Sequence, residues 1–299
     1  MTPSTPRLTA LAALVLLTVV PGTRAQQHDL LVDAAWVHAR VDDPNLVLLH
    51  VGPEDEYATE HIAGAVFVGR EDFSHPSSHG DGALVLELPE PEAFQSALRA
   101  AGVNEDSRIV VYWGGEWVTP TARVVFTLDW AGLGDRTSLL DGGLDAWKAA
   151  GLDVTGDVRS PAAGDVVVRP RPELVVGADY VEAHAAADGF QVVDARSAGH
   201  FDGVQEDRGK AGHIPGAGSV PWTSLIDEET LLLHPPERLR ELFAAAGVEE
   251  GDTVVGYCHI GQYATLMLFA ARTLGHEVTL YDGAFQDWAQ RDLPVETGR

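Results

Sequence analysis

The stretch TVVGYCHIGQYATLMLFAARTLG, residues 253 to 275, changes its hydrophobic pattern midway. It begins with a short apolar run rich in β-branched residues, continues through CHIGQY, and ends with apolar residues at helical spacing. This pattern predicts a buried strand, a tight loop and a helix, with Cys258 at the carboxyl end of the strand. Ligands collect at that edge of open α/β sheets, so the stretch indicates both a fold class and a candidate site.

Cys258 is the only cysteine among the 299 residues. A cysteine without a partner is often a small buried hydrophobe, and that structural alternative stays open at this point. In the predicted position, however, loop N–H groups and the positive end of the helix dipole would stabilise a thiolate over a thiol. We therefore interpret Cys258 as a nucleophile whose pKa is lowered below that of free cysteine.

The rest of the chain repeats one pattern twice in the same order. EHIAGAVFV at residues 60 to 68 corresponds to GHIPGAGSV at residues 212 to 220. LLDGGLDAWKAAGL at residues 139 to 152 corresponds to LYDGAFQDWAQRDL at residues 280 to 293. The second copy also contains an insertion, GVQEDRGK, at residues 203 to 210. The constant order indicates a duplication.

Within each copy, short and nearly continuous apolar runs alternate with longer segments of helical spacing. Such runs are typical of a mainly parallel sheet that is covered by helices on both faces. We predict two tandem α/β domains of this kind, at residues 30–155 and 173–296. The segment at residues 156–172 is rich in Pro, Gly and charge, as a linker is.

Charge and the amino-terminal composition restrict the function classes. The chain has 45 acidic and 20 basic residues, a formal net charge of -25, which argues against nucleic acid or an anionic membrane as partner. Residues 1–25 have the composition of a signal peptide, with a retained membrane anchor as the alternative, so we expect a periplasmic or secreted protein. The 12 histidines show no ligand-spaced cluster, so neither a metal nor another cofactor is expected.

Four motifs of the second copy carry a family resemblance: VVDAR (192 to 196), GHIPGA (212 to 217), YCHIGQYA (257 to 264) and LYDGAFQDW (280 to 288). With their degenerate partners in the first copy, they resemble the tandem-domain rhodaneses, the thiosulfate/3-mercaptopyruvate-type sulfurtransferases. The resemblance implies that the loop thiolate takes a sulfane sulfur from a donor such as thiosulfate or a persulfide. The resulting cysteine persulfide then passes the sulfur to a thiophilic acceptor, such as a thiol or cyanide.

The candidate site has Cys258 as its catalytic residue. The expected substrate-binding residues are the rest of the loop and two side chains near the VDAR motif: His259, Ile260, Gly261, Gln262, Tyr263, Ala264, Arg196 and His200. Asp194 and His213 are expected to give structural support. For Arg196, a partly buried ion pair with Asp194 is the preferred interpretation, and contact with an anionic substrate is the alternative. For His213, a local turn contact is preferred over a catalytic role. Asp282 is interpreted as part of a turn.

The first copy lacks the residues that would perform this chemistry. By the alignment of the copies, Trp113 stands where the second copy has Cys258, and an indole cannot attack sulfur. His50 and Gly52 replace the charged pair of the VDAR motif. We therefore predict that only the second domain is catalytic and that the first covers one wall of the site.

Two other function classes are alternatives for the same loop. Cysteine phosphatases and arsenate reductases of related fold grip a tetrahedral oxyanion with an arginine six positions after the cysteine, but this chain has Ala264 there. A non-catalytic persulfide-sensing or protein-binding rhodanese module stays open as a different class.

The donor is expected to differ from thiosulfate. Thiosulfate-specific members of the family that resemble this chain place cations where this sequence has Ile260 and His200. We therefore expect a persulfide, a polysulfide or another less charged sulfane compound as the native donor. Protonation of His200 predicts that thiosulfate use improves below about pH 6.5.

Overall fold

The structure is a computed structural model that describes Met1 and residues 29–69, 72–75 and 83–298. The predicted signal peptide, apart from Met1, lies outside the described residues. Across the part of the chain that is described, no helix is both long and apolar enough to span a membrane.

The first domain is a parallel five-stranded sheet with helices on both faces. Its strands, which follow the order β1-β5-β4-β2-β3 in the sheet, are Leu31–Val32 (β1), Leu46–Val51 (β2), Val66–Phe67 (β3), Arg108–Trp113 (β4) and Thr137–Leu140 (β5). Its α-helices are Ala34–His38 (α1), Glu54–Thr59 (α2), Pro91–Ala100 (α3), Val118–Leu128 (α4) and Gly143–Ala149 (α5).

The second domain repeats this sheet with the same strand order, β6-β12-β11-β7-β10, and adds one small hairpin. Its strands are Val175–Val176 (β6), Phe190–Asp194 (β7), Glu206–Asp207 (β8), Lys210–Ala211 (β9), Gly218–Ser219 (β10), Thr253–Tyr257 (β11) and Glu277–Tyr281 (β12). Its α-helices are Ala178–His184 (α6), Ala198–Phe201 (α7), Pro236–Ala245 (α8), Tyr263–Thr273 (α9) and Ala284–Gln290 (α10). The antiparallel hairpin β8–β9 is formed by the insertion. Two tandem parallel α/β domains are therefore confirmed as the fold class.

Close packing of α9 on β11 fixes the position of the candidate site. A Cβ atom added at Gly256 in β11 would lie 2.8 Å from side-chain atoms of Leu268 and Met267 in α9. Only glycine allows this approach, which is much closer than real Cβ contacts. The helix therefore begins directly beyond the carboxyl end of the strand, as the sequence pattern predicts.

Each domain donates a backbone N–H to an aspartate side chain of the other domain, in a nearly symmetric way. The N–H of Leu88 in the first domain donates to Oδ2 of Asp282 at 2.9 Å. The N–H of Leu233 in the second domain donates to Oδ1 of Asp141 at 3.0 Å. Asp282 and Asp141 are corresponding residues of the two copies. Asp282, which the sequence indicates only as part of a turn, therefore also binds the other domain, and so does its counterpart Asp141.

The segment predicted as a linker, residues 156–172, lies against the first domain. The N–H of Val166 donates to the carbonyl of Val103 at 3.2 Å. Arg171 binds Asp129 of the first domain at 2.9 Å, and the same carboxylate binds Arg272 of the second at 2.7 Å. The helices α4 and α9 pack between the sheets, and one hydrophobic cluster includes residues of both domains. The two halves thus share part of their core.

Candidate active site

Cys258 follows β11 directly and precedes the amino end of α9. Its side chain is fully buried, with 0% exposure. Backbone N–H groups from Ile260, Gly261, Tyr263 and Ala264 point at its sulfur. The loop can turn around the sulfur because Gly261 has a φ of +81°, in the left-handed region that glycine enters without strain. The result is a ring of partial positive charge around one thiol.

The pKa of Cys258 is raised rather than lowered, so the sequence prediction of a depressed pKa was wrong for the substrate-free site. Burial raises the pKa, and the backbone N–H groups around the sulfur offset only part of that effect. Burial acts against the thiolate because it removes the water that would solvate the charge. The thiol is therefore the resting form at neutral pH, in a site whose N–H groups favour the anion once it forms.

The other predicted residues of the loop divide into two groups. Gly261 and Ala264 are buried, whereas the side chains of His259, Ile260, Gln262 and Tyr263 are partly exposed and form the rim. The N–H groups of Ile260 and Tyr263 nevertheless face the sulfur. The amide nitrogen of Gln262 donates to Oγ1 of Thr119 at 3.1 Å. Gln262 therefore ties the rim to the first domain.

Arg196 and Asp194 form a buried ion pair at the end of β7. Nε and Nη2 of the arginine both donate to the carboxylate, at distances down to 2.7 Å, and Nη2 also donates to the carbonyl of Gly212 at 2.8 Å. The guanidinium lies 3.8 Å from the ring centroid of Phe285. Both side chains of the pair are fully buried. The ion-pair interpretation therefore describes Arg196 better than substrate binding, because its side chain has no exposed surface.

His200 lies at the rim but is a weaker cation than the sequence predicts. Its Nδ1 lies 2.8 Å from Oγ of Ser197, and its ring meets that of His259 edge-on at 4.6 Å. Burial lowers the pKa of His200, and the nearby His259 and Arg196 lower it further. The predicted gain in thiosulfate use near pH 6.5 is corrected accordingly, since protonation of His200 requires a lower pH.

His213 has a structural role that the first domain reproduces. Its Nδ1 donates to the carbonyl of Phe201 at 2.7 Å, and the two rings stack at 3.7 Å. In the first domain, Nδ1 of His61 donates to the carbonyl of Tyr57 at 2.6 Å, and those rings stack at 4.1 Å. Since the copy without a thiol keeps the same arrangement, the contact supports the fold, as the predicted support role requires.

Two residues of the site were missed in the sequence. Arg123 in α4 is buried, binds Asp282 at 2.7 Å and donates to the carbonyl of Gly261 at 3.2 Å, so the first domain braces the thiol loop. Its signal is a single arginine within the apolar helix VTPTARVVFTL. Asp207, from the insertion, lies 2.6 Å from Nδ1 of His259. Among the described residues, no cluster of His, Cys, Asp and Glu side chains is suited to a metal ion.

Comparison with known proteins identifies the family of both halves. The model of the rhodanese-like domain matches residues 33–150 and again residues 177–291. The chain is 35% identical over 280 residues to the 3-mercaptopyruvate sulfurtransferase of Escherichia coli K12, covering 89% of this chain and 97% of that protein. It is also 35% identical over 281 residues to the probable 3-mercaptopyruvate sulfurtransferase of Pseudomonas aeruginosa, covering 90% of this chain and 98% of that protein.

Solved structures agree with this assignment. The crystal structure of SseA from Escherichia coli, described as a 3-mercaptopyruvate sulfotransferase with the rhodanese fold, superposes with a TM-score of 0.75 at 32% identity, covering 86% of this chain and 98% of that one. An anaerobic ergothioneine biosynthesis enzyme from Chlorobium limicola superposes with a TM-score of 0.78 at 22% identity, over 92% of this chain and 71% of that one, and shares the fold. The chain belongs to the rhodanese-like family, with one such domain in each half.

Proposed function

We propose that the protein is a sulfurtransferase in which Cys258 carries one sulfur atom, as a persulfide, from a donor to a thiophilic acceptor. The observation that carries this proposal is the ring of backbone N–H groups around a single thiol at the end of a central strand. The same donors that stabilise a thiolate also stabilise the negative charge of a persulfide. The named relatives of this family support the same reaction class.

We further propose that the preferred donor presents less negative charge to the groups around Cys258 than thiosulfate does. A doubly charged donor such as thiosulfate needs cations, but Arg196 is bound to Asp194 and Ile260 is apolar. A charge-assisted hydrogen bond contributes about 1.5 to 3 kcal/mol, so its loss weakens thiosulfate use. A persulfide, a polysulfide or 3-mercaptopyruvate, the compound in the names of the relatives, fits the site better.

The test is a comparison of initial rates with thiosulfate, glutathione persulfide and 3-mercaptopyruvate, with cyanide as acceptor. We expect turnover with glutathione persulfide and 3-mercaptopyruvate, slower turnover with thiosulfate, and none in Cys258→Ser. Loading of Cys258 without transfer to any acceptor would instead favour a persulfide-binding module. Turnover that persists in Cys258→Ser would refute the proposal.

A location outside the cytoplasm is also proposed, from the composition of residues 1–25. Cell fractionation and the mass of the mature amino terminus test it. A full-length chain in the cytoplasm would contradict it.

A further inference from the structure

The insertion of the second copy forms a short hairpin beside the active-site loop. β8 and β9 pair through a two-residue turn at Arg208 and Gly209, whose φ values are 52° and 78°. Positive φ at both positions matches the tight turns that favour hairpins. Nζ of Lys210 donates to the carbonyl of Leu293 at 2.8 Å, which anchors the hairpin to the domain. Asp207, just before the turn, is thereby held in one place.

Asp207 binds the histidine that follows the catalytic cysteine. Its Oδ2 lies 2.6 Å from Nδ1 of His259, and its side chain is 13% exposed. Burial alone would raise the pKa of Asp207, but the hydrogen bond and charge of His259, together with Arg196 and Arg208, outweigh it and lower the pKa. An ionised carboxylate only accepts hydrogen bonds, so Nδ1 of His259 carries a proton. Nε2 is then the nitrogen that can exchange a proton with a ligand.

The remaining groups around His259 leave that nitrogen available. Its side chain is 25% exposed at the rim of the site. His200 lies edge-on at 4.6 Å and Tyr263 at 5.9 Å between ring centroids, and Arg196 is 3.6 Å from Asp207. The lowered pKa of His200 makes its ring a poor proton acceptor.

The first domain lacks each part of this arrangement. Gly114 stands at the position that corresponds to His259, Trp113 at the position of the thiol, and no segment corresponds to the insertion that carries Asp207. The thiol, the histidine and the carboxylate therefore occur together in one copy and are all missing from the other. The shared packing of the fold, by contrast, is present in both.

We propose that His259, oriented by Asp207, moves the proton in sulfur transfer between thiols, an inference that rests on the proposed sulfurtransferase function. In the first step the Cys258 thiolate attacks the outer sulfur of a hydrodisulfide R′–S–S–H. The Cys258–sulfur bond forms, the donor S–S bond breaks, and the leaving R′–S⁻ takes the proton from Nε2. In the resting enzyme this same proton is on the thiol, and its transfer to Nε2 starts the cycle.

In the second step the acceptor thiol R–S–H gives its proton to Nε2 and attacks the outer sulfur of the Cys258 persulfide. The new bond makes R–S–S–H, the bond to Cys258 breaks, and Cys258 leaves as the thiolate. The sum is R′SSH + RSH → R′SH + RSSH, with the enzyme restored and no external oxidant or reductant. His259 is the proton-transfer residue, and Asp207 is a positioning residue that acts through it.

The test uses full-length protein with Cys258 loaded by glutathione persulfide, freed of donor, and then mixed rapidly with an acceptor. An alkyl thiol must lose its proton during attack, whereas an acidic aryl thiol is already a thiolate at neutral pH. We expect His259→Gln to slow discharge to the alkyl thiol about a hundredfold and discharge to the aryl thiolate only slightly. The rate of discharge to the alkyl thiol in His259→Gln should then rise in proportion to the hydroxide concentration. In the same pH range, the rate of the wild type should reach a plateau.

Asp207→Asn should produce the same acceptor-selective loss to a smaller degree, and Asp207→Glu should restore part of it. Glu206→Gln is the matched control, because Glu206 lies in the same hairpin and is exposed, whereas Asp207 is the hairpin carboxylate that binds His259. Equal slowing with both acceptors, or an unchanged alkyl-thiol profile in His259→Gln, overturns the proton-transfer role. A wild type that never gains sulfur on Cys258 refutes the sulfurtransferase function itself.

Discussion

The loops that follow β4 and β11 are corresponding segments of the two domains, but they hold different groups. In the second domain, backbone N–H groups surround the sulfur of Cys258. In the first, Trp113 occupies the corresponding position, and the N–H of Gly115 donates to Oε1 of Glu56 at 3.0 Å. The first loop thus binds a carboxylate of its own domain. The backbone N–H groups of such a loop can therefore bind a negative charge even where the loop contains no thiol.

The neighbouring strands differ in the same direction. His50 in β2 pairs with Tyr112, just as Asp194 in β7 pairs with Tyr257. Burial, with a smaller effect of His61, lowers the pKa of His50 to about 4, so its ring is neutral. Neither ring nitrogen has a hydrogen-bond partner among the described residues. The first domain therefore has the same packing position but no counterpart of the buried Asp194–Arg196 ion pair.

Other contacts are the same in both domains. The hydroxyl of Tyr112 accepts a hydrogen bond from the N–H of Ile62 at 3.0 Å, and that of Tyr257 accepts one from Ile214 at 3.1 Å. Together with the stacked histidines, these contacts mark what the fold requires. The comparison teaches that features found in only one copy, such as the thiol and the insertion, belong to the chemistry.

The largest expected effect concerns the brace between the domains. Arg123→Ala leaves the buried carboxylate of Asp282 without its cationic partner, which costs roughly 3 to 5 kcal/mol of unfolding free energy. Activity should fall as well, because the carbonyl of Gly261 loses its donor. Urea unfolding measures the loss. Arg240→Ala, at an exposed pair with Glu237, is the control and should change little. Equal effects of the two changes would show that the first domain does not brace the loop.

The next effect concerns the donor. Ile260→Lys adds a cation to the rim and should raise kcat/KM for thiosulfate about tenfold, with a smaller change for glutathione persulfide. Arg238→Lys is the control, because it changes an exposed side chain without changing the net charge. It measures how much kcat/KM varies for a substitution that should have no effect on the donor. An unchanged ratio of the two donors in Ile260→Lys would remove the argument from missing cations.

A smaller effect is expected in the pH dependence of alkylation. Because the pKa of Cys258 is raised, its thiolate fraction grows only as the pH rises above the usual range of a thiol. Its alkylation rate should therefore still increase where an ordinary thiol has levelled off. Asp145→Cys in a Cys258→Ser background supplies that ordinary thiol, since Asp145 is 70% exposed. If the alkylation rate of Cys258 levelled off at a lower pH than that of the reference thiol, the burial effect on its pKa would be contradicted.

The smallest effect is expected for a thiol placed in the first loop. Trp113→Cys in a Cys258→Ser background should restore no transfer, because the N–H of Gly115 is already bound to Glu56. Mass analysis after treatment with a persulfide donor checks for sulfur at position 113. Measurable turnover would mean that the first loop needs only a thiol to be active.

The sequence was sufficient to predict those features that depend on residues close together in the chain. The strand, loop and helix around Cys258 follow from hydrophobic spacing and one glycine, and the duplication follows from motif order. The pairs Arg123–Asp282 and Asp207–His259 were not predictable, because their members approach each other only through domain packing and the path of an insertion. The direction of the shift in the pKa of Cys258 was predicted wrongly for a related reason. The N–H groups are visible in the pattern, but the degree of burial depends on the tertiary structure.

The central claim is that Cys258 alone carries the transferred sulfur. Its most direct test is intact and peptide mass spectrometry of the wild type after one equivalent of glutathione persulfide, before and after addition of a thiol acceptor. The account predicts a gain of one sulfur atom on the peptide that contains Cys258, and its loss when the acceptor is added. Because the chain has a single cysteine, the assignment is unambiguous. Turnover without any sulfur gain on that peptide would contradict the account.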